Sequence, residues 1–133
     1  MTIKPIGILP SLALGLALSL VAATTMAAPS NKWRIELDDR AQVAGEIELS
    51  ITPKGGQPTS VTVPIPAATN DEAAAVIVRN ALSATFGSEV YRVEIDDGDD
   101  VLVRANDAND ARDFDLNIVR NTATGLRVEL DQE

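Results

Sequence analysis

The side chains in this chain that could do chemistry are almost all carboxylates. Twenty of its 133 residues are Asp or Glu, eleven are Lys or Arg, and there is no histidine or cysteine. That excludes the usual base at neutral pH and the thiol nucleophile. A zinc or copper site would have to be built from oxygen alone, against the preference of those metals. Beyond residue 27, serines stand at 30, 50, 60, 83 and 88, none in a Gly-x-Ser-x-Gly elbow. No phosphate-binding loop or dinucleotide fingerprint is present. A carboxylate pair working as in glycosidases is conceivable in a small hydrolase, but twenty acids make such pairs uninformative.

Calcium is the ligand that suits an oxygen-only set, and exported proteins meet it at concentrations matching weak sites. Two clusters qualify: Asp96-Asp97-Gly98-Asp99-Asp100 and Asn106-Asp107-Ala108-Asn109-Asp110, with Asp113 and Asp115 close behind the second. Neither has the EF-hand spacing. They flank a five-residue strand, so they lie about 17 Å apart at about 3.3 Å per residue and cannot share one ion. The first cluster also reads as a bare turn. The longer connection could wrap an ion, so the candidate metal ligands are Asp107, Asp110, Asp113 and Asp115, for calcium only. No other cofactor is indicated.

The elements that would position these groups are legible from periodicity. Thr69 to Gly87 reads as the one helix. Thr69 and Glu72 have capping-box spacing, and Asp71 and Glu72 suit the positive end of the helix dipole. Ala74, Ile77, Val78, Ala81, Leu82 and Thr85 share one face, and Gly87 suits the stop. The strands alternate apolar and polar residues: 33–38, 45–52, around Val61, Val63 and Ile65, then 90–95, 101–105, 113–120 and 126–130. Asp97-Gly98 is a hairpin signal, and Pro64 and Pro66 mean that the third strand lies at an edge or ends there. The expected fold is α+β, with about seven antiparallel strands and one helix in the order βββαββββ. One helix cannot cover seven strands, so the sheet either curls around it or splits into two packed sheets. The curled form is the expectation. Trp33 and Tyr91 head similar strands and are expected in the core.

Three strands repeat one form: apolar, Arg, aliphatic, Glu, aliphatic, Asp. They are Trp33 to Asp38, Tyr91 to Asp96 and Leu126 to Asp131. Two such strands paired antiparallel could set Arg opposite Glu and fix a register.

Residues 1–27 have the form of a secretory signal peptide: Lys4, an apolar run from Leu12 to Ala23, and small residues at Thr25 and Ala27. The expected organisation is a signal peptide over 1–27, a short leader over 28–32, one domain over 33–130 and a free tail over 131–133. Cleavage near Ala27 would deliver the chain to the periplasm or the medium, with no membrane span left. Removing Lys4 would leave a net charge of about −10. Such acidity disfavours nucleic acid and anionic membranes and suits a basic protein partner, which the sequence does not identify.

The stretches Asp71-Glu72-Ala73-Ala74-Ala75-Val76-Ile77, Asp99-Asp100-Val101-Leu102-Val103-Arg104-Ala105 and Asp113-Phe114-Asp115-Leu116 together resemble a module repeated in phage-tail and bacterial surface proteins. The resemblance covers residues 69–130, in a single copy. It implies structural, assembly or adhesion work and carries no catalytic residue. The lead expectation is therefore an exported, acidic, non-enzymatic module acting by protein–protein contact. Weak calcium binding and a carboxylate-dependent hydrolase are the alternatives.

Overall fold

The structure, a computed structural model, describes residues 29–106 and 113–133. Seven strands and one helix follow in the order β1 (Lys32–Asp39), β2 (Gly45–Pro53), β3 (Thr59–Ile65), α1 (Asp71–Phe86), β4 (Tyr91–Asp96), β5 (Asp100–Ala105), β6 (Phe114–Asn121) and β7 (Leu126–Gln132). Two sheets form, with strand orders β4-β5-β1-β7 and β3-β2-β6, and every pair is antiparallel.

The single curled sheet is therefore corrected to two packed sheets. Each strand has one apolar face, and a 16-residue helix can cover few of them. The two sheets instead cover each other. Ile35, Leu37, Val101 and Val103 from one sheet, and Ile47, Leu49, Ile51, Val63 and Leu116 from the other, are at most 1% exposed. Burying each aliphatic chain contributes roughly 1.5–3 kcal/mol. Sequence neighbours pair directly in β2–β3 and β4–β5. Between β1 and β2, and between β6 and β7, the chain crosses from one sheet to the other.

α1 packs mainly on β4 and β3, the edge strands at one side of the sandwich, and so closes that side. Its buried residues are Ala74, Ala75, Val78 and Leu82, with Ile77 and Ala81 partly buried, whereas Thr85 is exposed. The small residues let the helix approach both edges. Its cap sits one residue later than the capping-box reading. Asn70 Oδ1 accepts from the Ala73 amide at 2.8 Å, while the Thr69 hydroxyl is spent on the Pro66 carbonyl at 2.7 Å. Gly87 ends the helix at φ 75°.

The β4–β5 turn, three residues between the paired Asp96 and Asp100, places Asp97 and Gly98 at positive φ of 56° and 86°, which Asp and Gly tolerate best. Gly45 has a different need: a β-carbon there would strike the backbone of Thr122 and Ala123.

All four aromatic residues gather near one end. Phe86 and Tyr91 meet edge to face at 5.1 Å between ring centroids, and Tyr91 and Phe114 lie 4.8 Å apart. The Trp33 indole N–H donates to the Phe114 carbonyl at 2.9 Å. Ser30, in the expected leader, exchanges two backbone hydrogen bonds with Phe114. The expected tail is held as well: β7 runs to Gln132, and the Glu133 amide donates to the Lys32 carbonyl at 3.1 Å.

Phe114 is fully buried and touches both sheets, so Phe114→Ala should cost about 3–5 kcal/mol in urea unfolding. Val119→Ala, at a site 54% exposed in the same strand, should change stability by less than about 0.5 kcal/mol.

Candidate functional site

Three aspartates far apart in sequence meet at the other end of the molecule. Asp38 closes β1, Asp71 opens α1 and Asp99 lies in the β4–β5 turn. One carboxylate oxygen from each falls within 4.8 Å of the others, and all three residues are half-buried. Glu72 adds a fourth carboxylate beside Gly98. Next to them is a shallow, open depression of about 720 Å³, lined by Asp38, Asp39, Arg40, Gln42, Asn70, Asp71 and Gly125.

The chain bends sharply to build this corner. Asp39 and Ala68 take positive φ of 70° and 67°, uncommon outside glycine. The Ala41 amide donates to the Thr69 carbonyl at 2.9 Å, and the Ala68 amide to the Ala41 carbonyl at 2.7 Å. The Gln42 amide donates to the Thr124 carbonyl at 2.7 Å. The β1–β2 crossover thus ties the helix entry and the β6–β7 turn together.

Electrostatically the corner is overloaded. Partial desolvation, then the charges of Asp100, Asp71 and Asp38, push the Asp99 carboxyl above its ordinary value. The nearby cations offset little of this. Arg127 lies 3.5 Å from Asp38 and 4.0 Å from Asp39 but is 63% exposed, and Arg40 is used on the Ala68 carbonyl. An oxygen-only group of this kind suits a hard cation. The depression's lining includes no hydroxyl or amine nucleophile.

The sequence-based ligand set lies elsewhere. Asp113 and Asp115 stand at the start of β6, by Ser30 and Pro53. Asp38 is at the far end of the eight-residue β1, about 26 Å away along the strand. The Asp113 carbonyl accepts from the Lys54 amide, and Asp115 is paired opposite Thr52. Asp107 and Asp110 lie outside the described residues, as do residues 1–27 with the signal-peptide reading. Of the first acidic cluster, Asp99 joins the observed group. Asp38 and Asp71 had read as a strand's outer face and a helix start, and only the tertiary fold brings them together.

A second charged arrangement covers the outer face of the four-stranded sheet. Arg34 Nη1 reaches Asp96 at 2.9 Å and Asp100 at 2.8 Å, and its Nε reaches Glu133 at 3.3 Å. One half-buried guanidinium thereby ties β1 to β4, β5 and the residue after β7. It holds the Glu133 carboxyl below its ordinary value, and the three carboxylates raise the arginine in turn. Leu102 lies opposite Arg34 and Glu94 on this face and is only 8% exposed. Glu36, beside Asp100, Asp131 and Glu129, is raised mainly by desolvation and then by those charges.

Asp99 and Glu133 should therefore titrate with opposite signs. A carboxyl raised in the folded chain lowers stability above its folded value, and that deficit vanishes as pH falls below the ordinary 3.8. Asp99→Asn should melt a few degrees higher than wild type at pH 7, with the gap closing towards pH 3.5. A carboxyl depressed in the folded chain contributes stability above its unfolded value, lost as pH falls through its folded one. Glu133→Gln should melt lower at pH 7, and its deficit should fade in acid. Melting curves from pH 3 to pH 8 check both.

Comparison with known protein families and with curated proteins finds no match for this chain.

Proposed function

We propose that the chain is an exported, non-enzymatic module that works by protein–protein contact through the β7 edge of its four-stranded sheet. The supporting observation is the direction of the β7 backbone. The Glu133 amide bonds to Lys32, so alternate residues 131, 129 and 127 face β1 and Val128 and Leu130 turn their N–H and C=O groups the other way. Among the described residues, no strand pairs on that side. An open row of backbone donors and acceptors is the surface by which an extended segment joins a sheet. Export rests on the form of residues 1–27. The non-enzymatic part rests on a composition without histidine or cysteine.

Capture from the native envelope and secreted fractions tests this reading, with Val128→Pro beside wild type. Proline at 128 removes only an outward-facing N–H, so the fold should survive. A defined partner recovered by wild type and lost with Val128→Pro, at equal melting temperature, is the expected outcome. Equal recovery by both would exclude the β7 edge.

The Asp38, Asp71 and Asp99 group favours a second reading, weak calcium binding. A ligand that binds only the folded chain adds about 2.7 kcal/mol at a hundred times its dissociation constant. On this reading calcium raises the melting temperature by several degrees over chelator, magnesium does not, and Asp71→Asn abolishes the shift. No shift in millimolar calcium excludes it.

A further inference from the structure

The strands β4 and β7 carry the same Arg-x-Glu-x-Asp pattern and form the two edges of one sheet, while the third copy, β1, lies inside it. The four sheet edges are not alike. On β3, the backbone direction set by the β2 pairings turns Ser60, Thr62 and Pro64 outward, and Pro64 has no N–H to offer. On β6, the start is taken by Ser30, and Val119 is an extra residue between Ile118 and Arg120 where the pairing with β2 shifts register. A bulge of this kind spoils an edge for further pairing. On β4, α1 packs along the side where the strand ends its sheet. β7 has none of these devices along Val128 to Leu130. β6, which precedes it across the Thr122–Gly125 turn, touches only its start, through Asn121 and Leu126, and pairs with β2.

We infer that the partner for this edge is a second copy of the same chain, paired β7 to β7 about a two-fold axis at Val128. This rests on the reading of β7 as the contact edge. An antiparallel strand pairing with itself about one residue sets each position opposite its mirror image. Centred on Val128, Arg127 faces Glu129 of the partner and Glu129 faces its Arg127, giving two opposite-charge pairs on the outer face. On the inner face Leu126 meets Leu130, Val128 meets Val128 and Leu130 meets Leu126. The register therefore satisfies charge and apolar pattern together, and the ladder closes on the N–H and C=O groups of Val128 at the axis, those of Leu126 being already bonded to the Ala123 carbonyl and the Asn121 side chain. The alternative centre at Glu129 would set two glutamates face to face, which opposite strands disfavour. Arg127 and Glu129 are 63% and 61% exposed, and their mutual contact within the strand, at 3.7 Å, is one that solvent screens readily. Arg127 also reaches Asp38 at 3.5 Å and Asp39 at 4.0 Å, exposed contacts that pairing across the axis would exchange as well. Val128 and Leu130 are half-buried, and a second strand would cover what remains.

The pairing also fits the charge of the whole molecule. A chain with a formal net charge of −9 repels its own copy at long range. A contact between two such copies needs local opposite-charge pairs at its centre, and this register supplies two. It should therefore strengthen with moderate salt, which screens the long-range term over about 8–10 Å while close pairs are screened less.

The experiment is sedimentation equilibrium of the purified, exported chain over a wide concentration range, with charge-reversal variants. Wild type should show a monomer–dimer equilibrium. Arg127→Glu and Glu129→Arg each create two like-charge pairs and should each weaken dimerisation roughly ten-fold or more. An equimolar mixture of these two single variants should form heterodimers, since every mixed pair is again Arg opposite Glu. The double reversal should dimerise like wild type, and Val128→Pro should be monomeric with the melting curve of wild type diluted to monomer. A wild type that stays monomeric at the highest concentration overturns the inference. So does a dimer that Val128→Pro leaves intact, or single variants that fail to recover on mixing. If wild type is monomeric yet Val128→Pro still loses a captured protein, self-pairing fails while the β7 reading stands. If neither occurs, both fail.

Discussion

The hydrogen bond from the Trp33 indole to the Phe114 carbonyl is the contact on which the two-sheet arrangement turns. Trp33 belongs to the four-stranded sheet and Phe114 to the three-stranded one. The Phe114 ring is fully buried against Tyr91, which meets Phe86 at the end of α1. One short chain of aromatics therefore fixes both sheets and the helix relative to one another. It does so in a chain without disulfides, in which only 3% of residues are aromatic. Elsewhere the core is aliphatic, and aliphatic faces slide more easily than a ring stack anchored by a buried N–H donor. Ser30 adds two backbone bonds to the same residue, which draws the start of β1 across to the opposite sheet.

The elements were legible because each follows a local rule. Alternation marks the strands, the alanine-rich period and Gly87 mark the helix, and Asp97-Gly98 marks its turn. Pro64 marks an edge for the same reason: no residue without an N–H fits the middle of a ladder. The arrangement was less legible. Nothing local in Arg40 to Ala44 says whether the chain turns back beside β1 or crosses to another sheet. The crossover depends on Ala41 bonding to Thr69 and Gln42 to Thr124, partners at least 28 residues away. The same limit applies to the acidic corner. Asp99 was visible as a turn residue, but Asp38 and Asp71 join it only because β1 ends where α1 begins. The repeated strand form was visible too, while its pairing was not. In the β1–β7 register Arg34 lies opposite Asp131, and Glu36 lies opposite Glu129. The expected Arg–Glu ladder is replaced by one Arg–Asp pairing at each end and a like-charge pair between them.

That like-charge pair shows how the acidic load is distributed. Glu36 and Asp99 are both raised, so at neutral pH each works against folding. Arg34 works the other way, because three carboxylates from different parts of the chain converge on it. It is only 18% exposed, so solvent screens its contacts less than those of Arg127 or Arg120. The outer face of the sheet is thus held chiefly by Arg34, with the more exposed Arg104–Glu94 and Arg127 contacts beside it. The acid beyond what the sheet needs for cohesion leaves a formal net charge of −9, which acts between molecules at long range.

Long-range charge repulsion and a free sheet edge pull in opposite directions. An unpaired strand with half-buried Val128 and Leu130 invites non-specific pairing, and sequences ordinarily block it. This chain does block such pairing elsewhere, with Pro64 on β3, the Val119 bulge on β6 and the helix beside β4. A proline, a bulge or an inward charge in β7 would have served equally well, and the sequence there has none of them. Overall negative charge then raises the threshold for any contact with an acidic partner, which local opposite-charge pairs must offset. A strand offering alternating Arg and Glu passes that threshold only for a partner with the matching register. Charge at long range and register at short range are the two terms that decide whether an exposed edge pairs selectively.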